Sequence, residues 1–255
     1  MTLPTDKTWK FYGRNAPYFG VFGQAEFLND HLDNDKLDYF FQSGNQYVDH
    51  LFQTIHKIFS PRFKPATILD FGCGPGRMMI PFAKIAGMVT GMDISSEMLE
   101  EARKNCQGQS INNTRFLMAD DNLKLIENQR FDLVHSFIVL QHLHTKRGVK
   151  LFLKLIEKIN KDGIGVIHFT YHDHFPLRRS LNFFRFRIPY FANLLRTFRS
   201  DNVKRNLKAR PQMQMNSYDL NLIFSILQEK NIKQVYSEFS DHHQYWGITV
   251  YFRMD

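Results

Sequence analysis

The chain has 255 residues, of which 43% are hydrophobic and 23% charged. That is ordinary globular usage for one or two domains, and it excludes a disordered or collagen-like chain. The net charge of +8 is concentrated: residues 175–211 hold ten basic residues against one acid, Asp201, so this segment carries +9 and the rest of the chain −1. No run approaches the roughly 18 apolar residues of a membrane-spanning helix, and the N-terminus lacks the apolar core of a signal peptide. The two cysteines, Cys73 and Cys106, are too few for a disulfide framework and suit a reducing cytoplasm.

Residues 1–40 are rich in aromatics, among them Trp9, Phe11, Tyr12, Tyr18, Phe19, Phe22 and Phe27. Gly13, Pro17, Gly20 and Gly23 interrupt them, which predicts loop and short turns. A helix is predicted over 45–59, where Tyr47, Val48, Leu51, Phe52, Ile55, Ile58 and Phe59 recur at helical spacing. Ser43 is its candidate cap, and Pro61 and Pro65 end it. From residue 66 short apolar strands alternate with helices. Strands are predicted at 66–71, 88–93, 114–119, 131–137 and 163–170. Helices are predicted at 77–85, from a Ser95 cap to 104, and at 147–160. Pro81 is tolerated near a first helical turn. The basic segment then interrupts the alternation. A helix capped by Ser217 and two strands, 232–239 and 246–252, close the chain. Such alternation predicts an α/β fold, a parallel sheet covered on both faces. The chain divides into an aromatic-rich segment with its helix, 1–62, and a main domain, 63–255, carrying the basic insert 175–211.

Residues 69–77 read LDFGCGPGR. Gly72, Gly74 and Gly76 follow a strand and precede a helix, where glycines let the backbone turn tightly and approach a ligand. Asp70 ends the strand just before them. Asp93 ends the second strand, seventeen residues after Gly76, where a carboxylate can accept both hydroxyls of a ribose. Asp120 and Asp121 end the third. Three successive strands thus end in acids at the edge where open α/β sheets bind ligands. A dinucleotide fingerprint needs a glycine at position 77, and that residue is Arg77.

LDFGCGPGR, followed by VTGMDIS, FLMADD and FDLVHSFIVLQHL, resembles class I S-adenosylmethionine-dependent methyltransferases over residues 66–171. The flanks NAPYFGVF, FFQSGNQYVDHLF and MQMNSYDLN resemble bacterial members of that class and bring no substrate with them. The resemblance implies a Rossmann-like sheet of seven strands in the order 3-2-1-4-5-7-6, the last antiparallel, with helices on both faces. It implies S-adenosylmethionine as cofactor and S-adenosylhomocysteine as product. Asp70 and the loop of Gly72, Cys73, Gly74, Gly76 and Arg77 would hold the methionine moiety. Asp93 would hold the ribose hydroxyls, with Ile94 against the adenine, and Met98 would also contact the cofactor. Asp120 or Asp121 would meet the adenine amino group, and Phe137 and Ile138 would line the sulfonium.

Methyl transfer is a direct displacement, so the protein mainly aligns the acceptor and excludes water. A general base matters when the acceptor is a hydroxyl or a protonated amine. His142 is the first candidate because it follows the strand nearest the expected methyl group. His144, His168, His172, His174, His242 and His243 are the alternatives. The HDH triplet, 172–174, is not expected to hold a metal, because three successive residues do not easily converge on one ion. The residues after the fourth strand, SFIVL, lack the (N/D/S)PP(Y/F) tetrapeptide typical of base-amino methylation. No cysteine stands near that strand to act as the nucleophile of cytosine methylation. These features favour a small-molecule acceptor. The basic insert carries three readings. It is a lid favouring an anionic acceptor, a membrane-surface attachment, or, with the interleaved NFFRFRIPYF, the surface of an RNA methyltransferase or RNA-binding module. A catalytically silent binding protein is disfavoured by the intact Asp70, glycine loop and Asp93.

Overall fold

Short apolar strands that alternate with amphipathic helices bury a sheet only when the helices lie on both faces. The computed structural model describes residues 4–173, 210–242 and 244–255 and has this arrangement. The strands are β1 (Thr67–Phe71), β2 (Met88–Asp93), β3 (Thr114–Met118), β4 (Phe131–Ser136), β5 (Ile159–Asp173), β6 (Gln234–Asp241) and β7 (Tyr245–Arg253). They form one sheet in the order β3-β2-β1-β4-β5-β7-β6. The pairs from β3 to β5 are parallel. β7 runs antiparallel to both β5 and β6. This is the order that the resemblance implied.

The sheet has two cores. On one face, helix α3 (Asn34–Ile58) sets Val48, Leu51, Phe52 and Ile55 against Ile68, Leu133, Ile164 and Val166 of the strands. On the other, α6 (Thr145–Ile156) and α7 (Leu220–Glu229) pack Leu151, Phe152, Leu155, Ile223 and Leu227 against Leu69, Val134, Ile167 and Phe169. Helices α4 (Met79–Ile85) and α5 (Ser96–Gly108) follow β1 and β2. The Ser95 side chain caps α5 by accepting from the Met98 N–H.

The N-terminal segment departs from its expected loop. It folds as α1 (Pro4–Asn15), α2 (Pro17–Phe22) and two single 3₁₀ turns. The reason lies in two glycines that read as breakers. Gly13 and Gly20 sit inside helices, and a Cβ on Gly13 would lie 2.2 Å from Ser95 Oγ. They let α1 and α2 lie close against α5, with Tyr12 and Ala16 packed on Met98. Of these glycines, Gly23 takes a left-handed φ of 69° and ends α2. Helix α3 likewise begins earlier than predicted. Asp33 caps it by accepting from Lys36 N–H at 2.9 Å, while Ser43 lies inside the helix. Asp219, not Ser217, caps α7, accepting from Asn221 N–H at 2.9 Å. The basic insert 175–211 lies outside the described residues apart from Arg210 and Pro211, as do His174 and His243. Among the described residues, no helix is long and apolar enough to cross a membrane.

The stretch between the insert and α7 is tied back to the sheet. Tyr218 N–H donates to Thr170 O, and its buried hydroxyl donates to Leu140 O at 2.7 Å. Gly148 of α6 makes room for that hydroxyl, since a Cβ there would lie 1.8 Å from it. Glycine to alanine in a helix normally stabilises by about 1 kcal/mol. Here the clash reverses the sign. Gly148→Ala is expected to lower unfolding free energy by roughly 1–3 kcal/mol in urea denaturation, and the double variant with Tyr218→Phe should recover part of the loss.

Candidate cofactor and acceptor site

The C-terminal ends of β1, β2 and β4 and the turns after them enclose one cavity, roofed by α1 and α2. Thr5, Asp6, Trp9, Gly20 and Val21 line it from the N-terminal segment. The glycine loop forms its floor. Gly72, Gly74 and Gly76 have φ of 78°, 53° and 91°, left-handed values that favour glycine. Gly72 and Cys73 N–H groups donate to Met92 O, which locks the loop to β2. Arg77 follows the loop and turns its guanidinium into an aromatic cage. It stands 5.4 Å from the Phe22 ring centroid and 5.9 Å from that of Phe40, and Nη1 donates to Ser43 Oγ. Burial lowers its pKa to about 10. Cys73 is buried, and the same desolvation raises its thiol well above the ordinary value.

Two carboxylates face this loop in different states. Asp70 is 2% exposed. Its Oδ1 accepts from His135 Nδ1 at 2.8 Å, and its Oδ2 is buried with no partner among the described residues. Asp93 is fixed by backbone. Its Oδ2 accepts from Gly74 N–H at 3.0 Å and its Oδ1 from Ser95 N–H at 2.9 Å. Desolvation outweighs these bonds and raises the Asp93 pKa to about 6.

The remaining wall is mostly apolar: Ile94, Met98, Ala119, Phe137, Ile138 and Val139. Ile138 holds a φ of 58° just past β4, a strained backbone for a β-branched residue. Asp120 and Asp121 both border the cavity but are engaged. Asp120 accepts from the Asn122 and Lys124 N–H groups. Asp121 takes both oxygens to Arg147 Nε at 2.9 Å, and Arg147 Nη1 also donates to Asp6 at 2.8 Å.

His142 lines the same cavity, buried against Trp9. Its Nδ1 lies 2.7 Å from Gln214 O, an acceptor, so the proton sits on Nδ1 and Nε2 carries the lone pair. Gln141 Nε2 approaches that lone pair at 3.3 Å. Burial lowers the His142 pKa to about 4. Among the described residues, the alternative candidates His144, His168, His172 and His242 do not line the cavity. His144 is exposed and caps α6, and exposed His172 lies against Trp246. His168 is buried in β5, 3.2 Å from His242, and its pKa is lowered to about 3, first by burial. Among the described residues, no cluster of histidine, cysteine and carboxylate groups could hold a metal ion.

The structure therefore brings all thirteen predicted cofactor residues except Gly76 to the cavity wall, together with His142. Sequence reasoning passed over His135, Tyr47, Arg147, Asp6 and Trp9. A histidine inside the apolar strand FDLVHS was the one visible signal, because a buried imidazole needs partners.

Residues 68–163 match the family described as Methyltransferase domain. Over 130 residues the chain is 32% identical to a ubiquinone biosynthesis O-methyltransferase of Hydrogenovibrio crunogenus, covering 46% of this chain and 54% of that protein. The chain thus spans about half the length of such relatives. By fold it is similar to magnesium protoporphyrin IX methyltransferase from Synechocystis PCC 6803, crystallised with bound S-adenosylmethionine. The TM-score is 0.63 at 17% identity, covering 100% of this chain and 99% of that one. It is also similar to the N-methyltransferase NodS from Bradyrhizobium japonicum WM9, with a TM-score of 0.59 at 12% identity, covering 99% of each chain. This is the fold of class I S-adenosylmethionine-dependent methyltransferases, and within it residues 68–163 match a methyltransferase domain.

The buried histidines make a stability prediction. His142 and His168 stay neutral in the fold down to about 4 and 3 but bind a proton near 6.5 when unfolded. Their contribution is present above 6.5 and is lost as pH falls. Asp93, raised to about 6, acts in the opposite sense between 6 and its unfolded value near 4. Two losses against one gain leave a net fall of roughly 1 kcal/mol per pH unit between pH 6 and 4. His168→Gln should flatten that slope in denaturant titrations, whatever it does to stability at pH 7.

Proposed function

We propose that this chain transfers a methyl group from S-adenosylmethionine to a small acceptor by direct displacement. The observation that carries the reading is Asp70 Oδ2, a buried carboxylate oxygen without a partner at the wall of a cavity floored by left-handed glycines. A buried unpaired carboxylate is costly, and a cationic amine is the group that would relieve it. The residues present fit the cofactor. Asp70 would accept from its amino group, and the loop of Gly72, Cys73, Gly74 and Gly76 would admit its chain, with Arg77 fixing the loop's far end. Asp93 would accept from the ribose hydroxyls. Ile94 and Met98 would flank the adenine, while Phe137 and Ile138 would line the sulfonium side. Asp120 suits the adenine amino group better than Asp121, whose oxygens are taken by Arg147. When bound, the cofactor supplies an electrophilic methyl group.

The chain's own task is to seat the acceptor, exclude water and remove a proton. His142 is the proposed base, neutral at physiological pH with its lone pair on Nε2. Within the cavity, Arg147 is matched by Asp6 and Asp121. The support for an anionic acceptor is therefore the +9 charge of residues 175–211, which continue the chain from the ligand edge of β5. The cytoplasm, where S-adenosylmethionine is made, is the compartment this reading requires.

The test is calorimetry with S-adenosylhomocysteine, followed by label transfer from radioactive S-adenosylmethionine to fractionated small metabolites. Binding of NADH in preference to S-adenosylhomocysteine would overturn the reading. Asp93→Ala should cost at least about tenfold in S-adenosylhomocysteine affinity, since a charge-assisted bond contributes roughly 1.5–3 kcal/mol. Because the ionised form of Asp93 accepts the ribose bonds, wild-type affinity should weaken as pH falls through about 6. The variant should lose that dependence. His142→Ala should lower label transfer by about 10²-fold, the low end of general-base effects, and leave S-adenosylhomocysteine affinity unchanged.

A further inference from the structure

Asp70 is held by a chain of side chains that reaches across the sheet to a helix. Its Oδ1 lies 2.8 Å from His135 Nδ1 on the neighbouring strand β4. His135 Nε2 lies 3.1 Å from the hydroxyl of Tyr47 on α3. Strand register makes the first contact, because Asp70 and His135 are direct Cα partners across β1 and β4. The imidazole is 1% exposed. The Phe82 ring sits edge-on to it at 5.0 Å, and Phe137 packs tilted against the Tyr47 ring at 4.4 Å.

The proton count along this chain has one satisfactory solution. A tyrosine hydroxyl carries one proton, and here burial pushes its pKa well above 10, so it stays protonated. Its only hydrogen-bond partner among the described residues is His135 Nε2. If the hydroxyl donates there, Nε2 is the imidazole's acceptor and the single imidazole proton sits on Nδ1. That proton is aimed at Asp70 Oδ1. Asp70 is then oriented through Oδ1 by the His135 N–H, which leaves Oδ2 without a partner among the described residues. The reversed tautomer would set an Nδ1 lone pair against a carboxylate oxygen at 2.8 Å, which is repulsive.

We propose that His135 and Tyr47 are positioning residues for cofactor recognition: Tyr47 fixes the tautomer of His135, and His135 fixes the carboxylate of Asp70 so that Oδ2 meets the ligand's amine. This rests on the assignment of Asp70 under Proposed function. The arrangement resembles the way a buried carboxylate orients a histidine in other enzymes, with the order turned around. The imidazole serves the carboxylate, and the tyrosine serves the imidazole. It also gives α3 a part in ligand binding, although Tyr47 itself does not line the cavity.

The discriminating probe is a pair of ligands. S-adenosylhomocysteine carries the amino-acid moiety, and 5′-methylthioadenosine keeps the adenine, ribose and sulfur without it. A residue that acts through Asp70 changes affinity for the first and not the second. A merely structural residue changes both alike. Calorimetry on the full chain should show the affinity ratio of the two ligands falling about threefold in Tyr47→Phe, which keeps the ring and loses the hydroxyl. It should fall about tenfold or more in His135→Leu. His135→Asn places an amide donor near the Nδ1 position and should retain most of the ratio. If His135→Leu does not fold, Tyr47→Phe and His135→Asn decide the matter. Wild-type ratios in both Tyr47→Phe and His135→Leu would overturn the proposal. A wild-type ratio in Tyr47→Phe alone would remove Tyr47 from the chain. A wild-type protein with no preference for S-adenosylhomocysteine over 5′-methylthioadenosine would instead overturn the assignment of Asp70.

Discussion

Burying one oxygen of a carboxylate without a partner is the constraint around which this site is built. Asp70 stands near the end of β1, and its Oδ2 is buried with no partner among the described residues. A buried carboxyl oxygen without a hydrogen bond is costly, so the surrounding structure has to hold the group against rotation. Two features do so. His135 donates to the other oxygen from the adjacent strand, and the glycine loop begins two residues later, closing the carboxylate from solvent. Under the proposed function, the energy not recovered inside the protein is available to a cationic ligand.

The glycine loop answers a second requirement, access. Left-handed backbone at Gly72 and Gly74 keeps side chains out of the cavity floor and at Gly76 lets the loop pass close to Ala102 of α5, but it leaves a loop with little to pin it. The pins come from three directions. Met92 O of β2 receives two loop N–H groups, Asp93 accepts a third from Gly74, and α3 comes close enough at Gly44 that a Cβ there would lie 2.3 Å from Arg77 O. Arg77 then anchors in the rings of Phe22 and Phe40, drawing the N-terminal helices to the same loop. The aromatic N-terminal segment is thus part of the cavity, and its packing and the loop's rigidity are coupled.

The sheet and the cofactor edge were legible in the sequence because both depend on local signals. Apolar runs of strand length, glycines after β1 and an acid at each strand end each carry a backbone or charge requirement readable without partners. The N-terminal helices were not legible, because Gly13 and Gly20 serve interhelical contact rather than turning, and only the position of α5 reveals that. The start of α3 was missed because its early turns pack Leu37, Phe40 and Phe41 against Tyr18 and Phe27 of the N-terminal segment, a partner that the sequence does not reveal. Asp33 rather than Ser43 caps it. His135 escaped for a different reason. Its meaning depends on register with Asp70, a relation between strands 65 residues apart in sequence. Asp121 shows the converse. It stands where an adenine contact was expected, yet a neighbouring guanidinium from α6, invisible to spacing, claims it.

The environment of His142 narrows the chemistry that it can serve. Its pKa is lowered to about 4, so it holds a proton weakly, and the rate gain from a base falls with its basicity. The lone pair on Nε2 also faces the Gln141 amide at 3.3 Å. Gln141 Oε1 accepts from Thr170 Oγ1 at 2.6 Å. A proton arriving on Nε2 meets an N–H donor until that amide turns, after which Thr170 Oγ1 accepts from the amide instead of donating to it. Both effects penalise acceptors that hold their proton tightly, such as aliphatic alcohols and ammonium groups. They penalise far less an acceptor that is already acidic, where the proton is nearly lost before the methyl group moves. An acidic hydroxyl or a carboxylic acid meets that condition, and such an acceptor carries negative charge at neutral pH or close to it. The basicity of residues 175–211 and the weakness of the candidate base thus both support the anionic acceptor put forward under Proposed function.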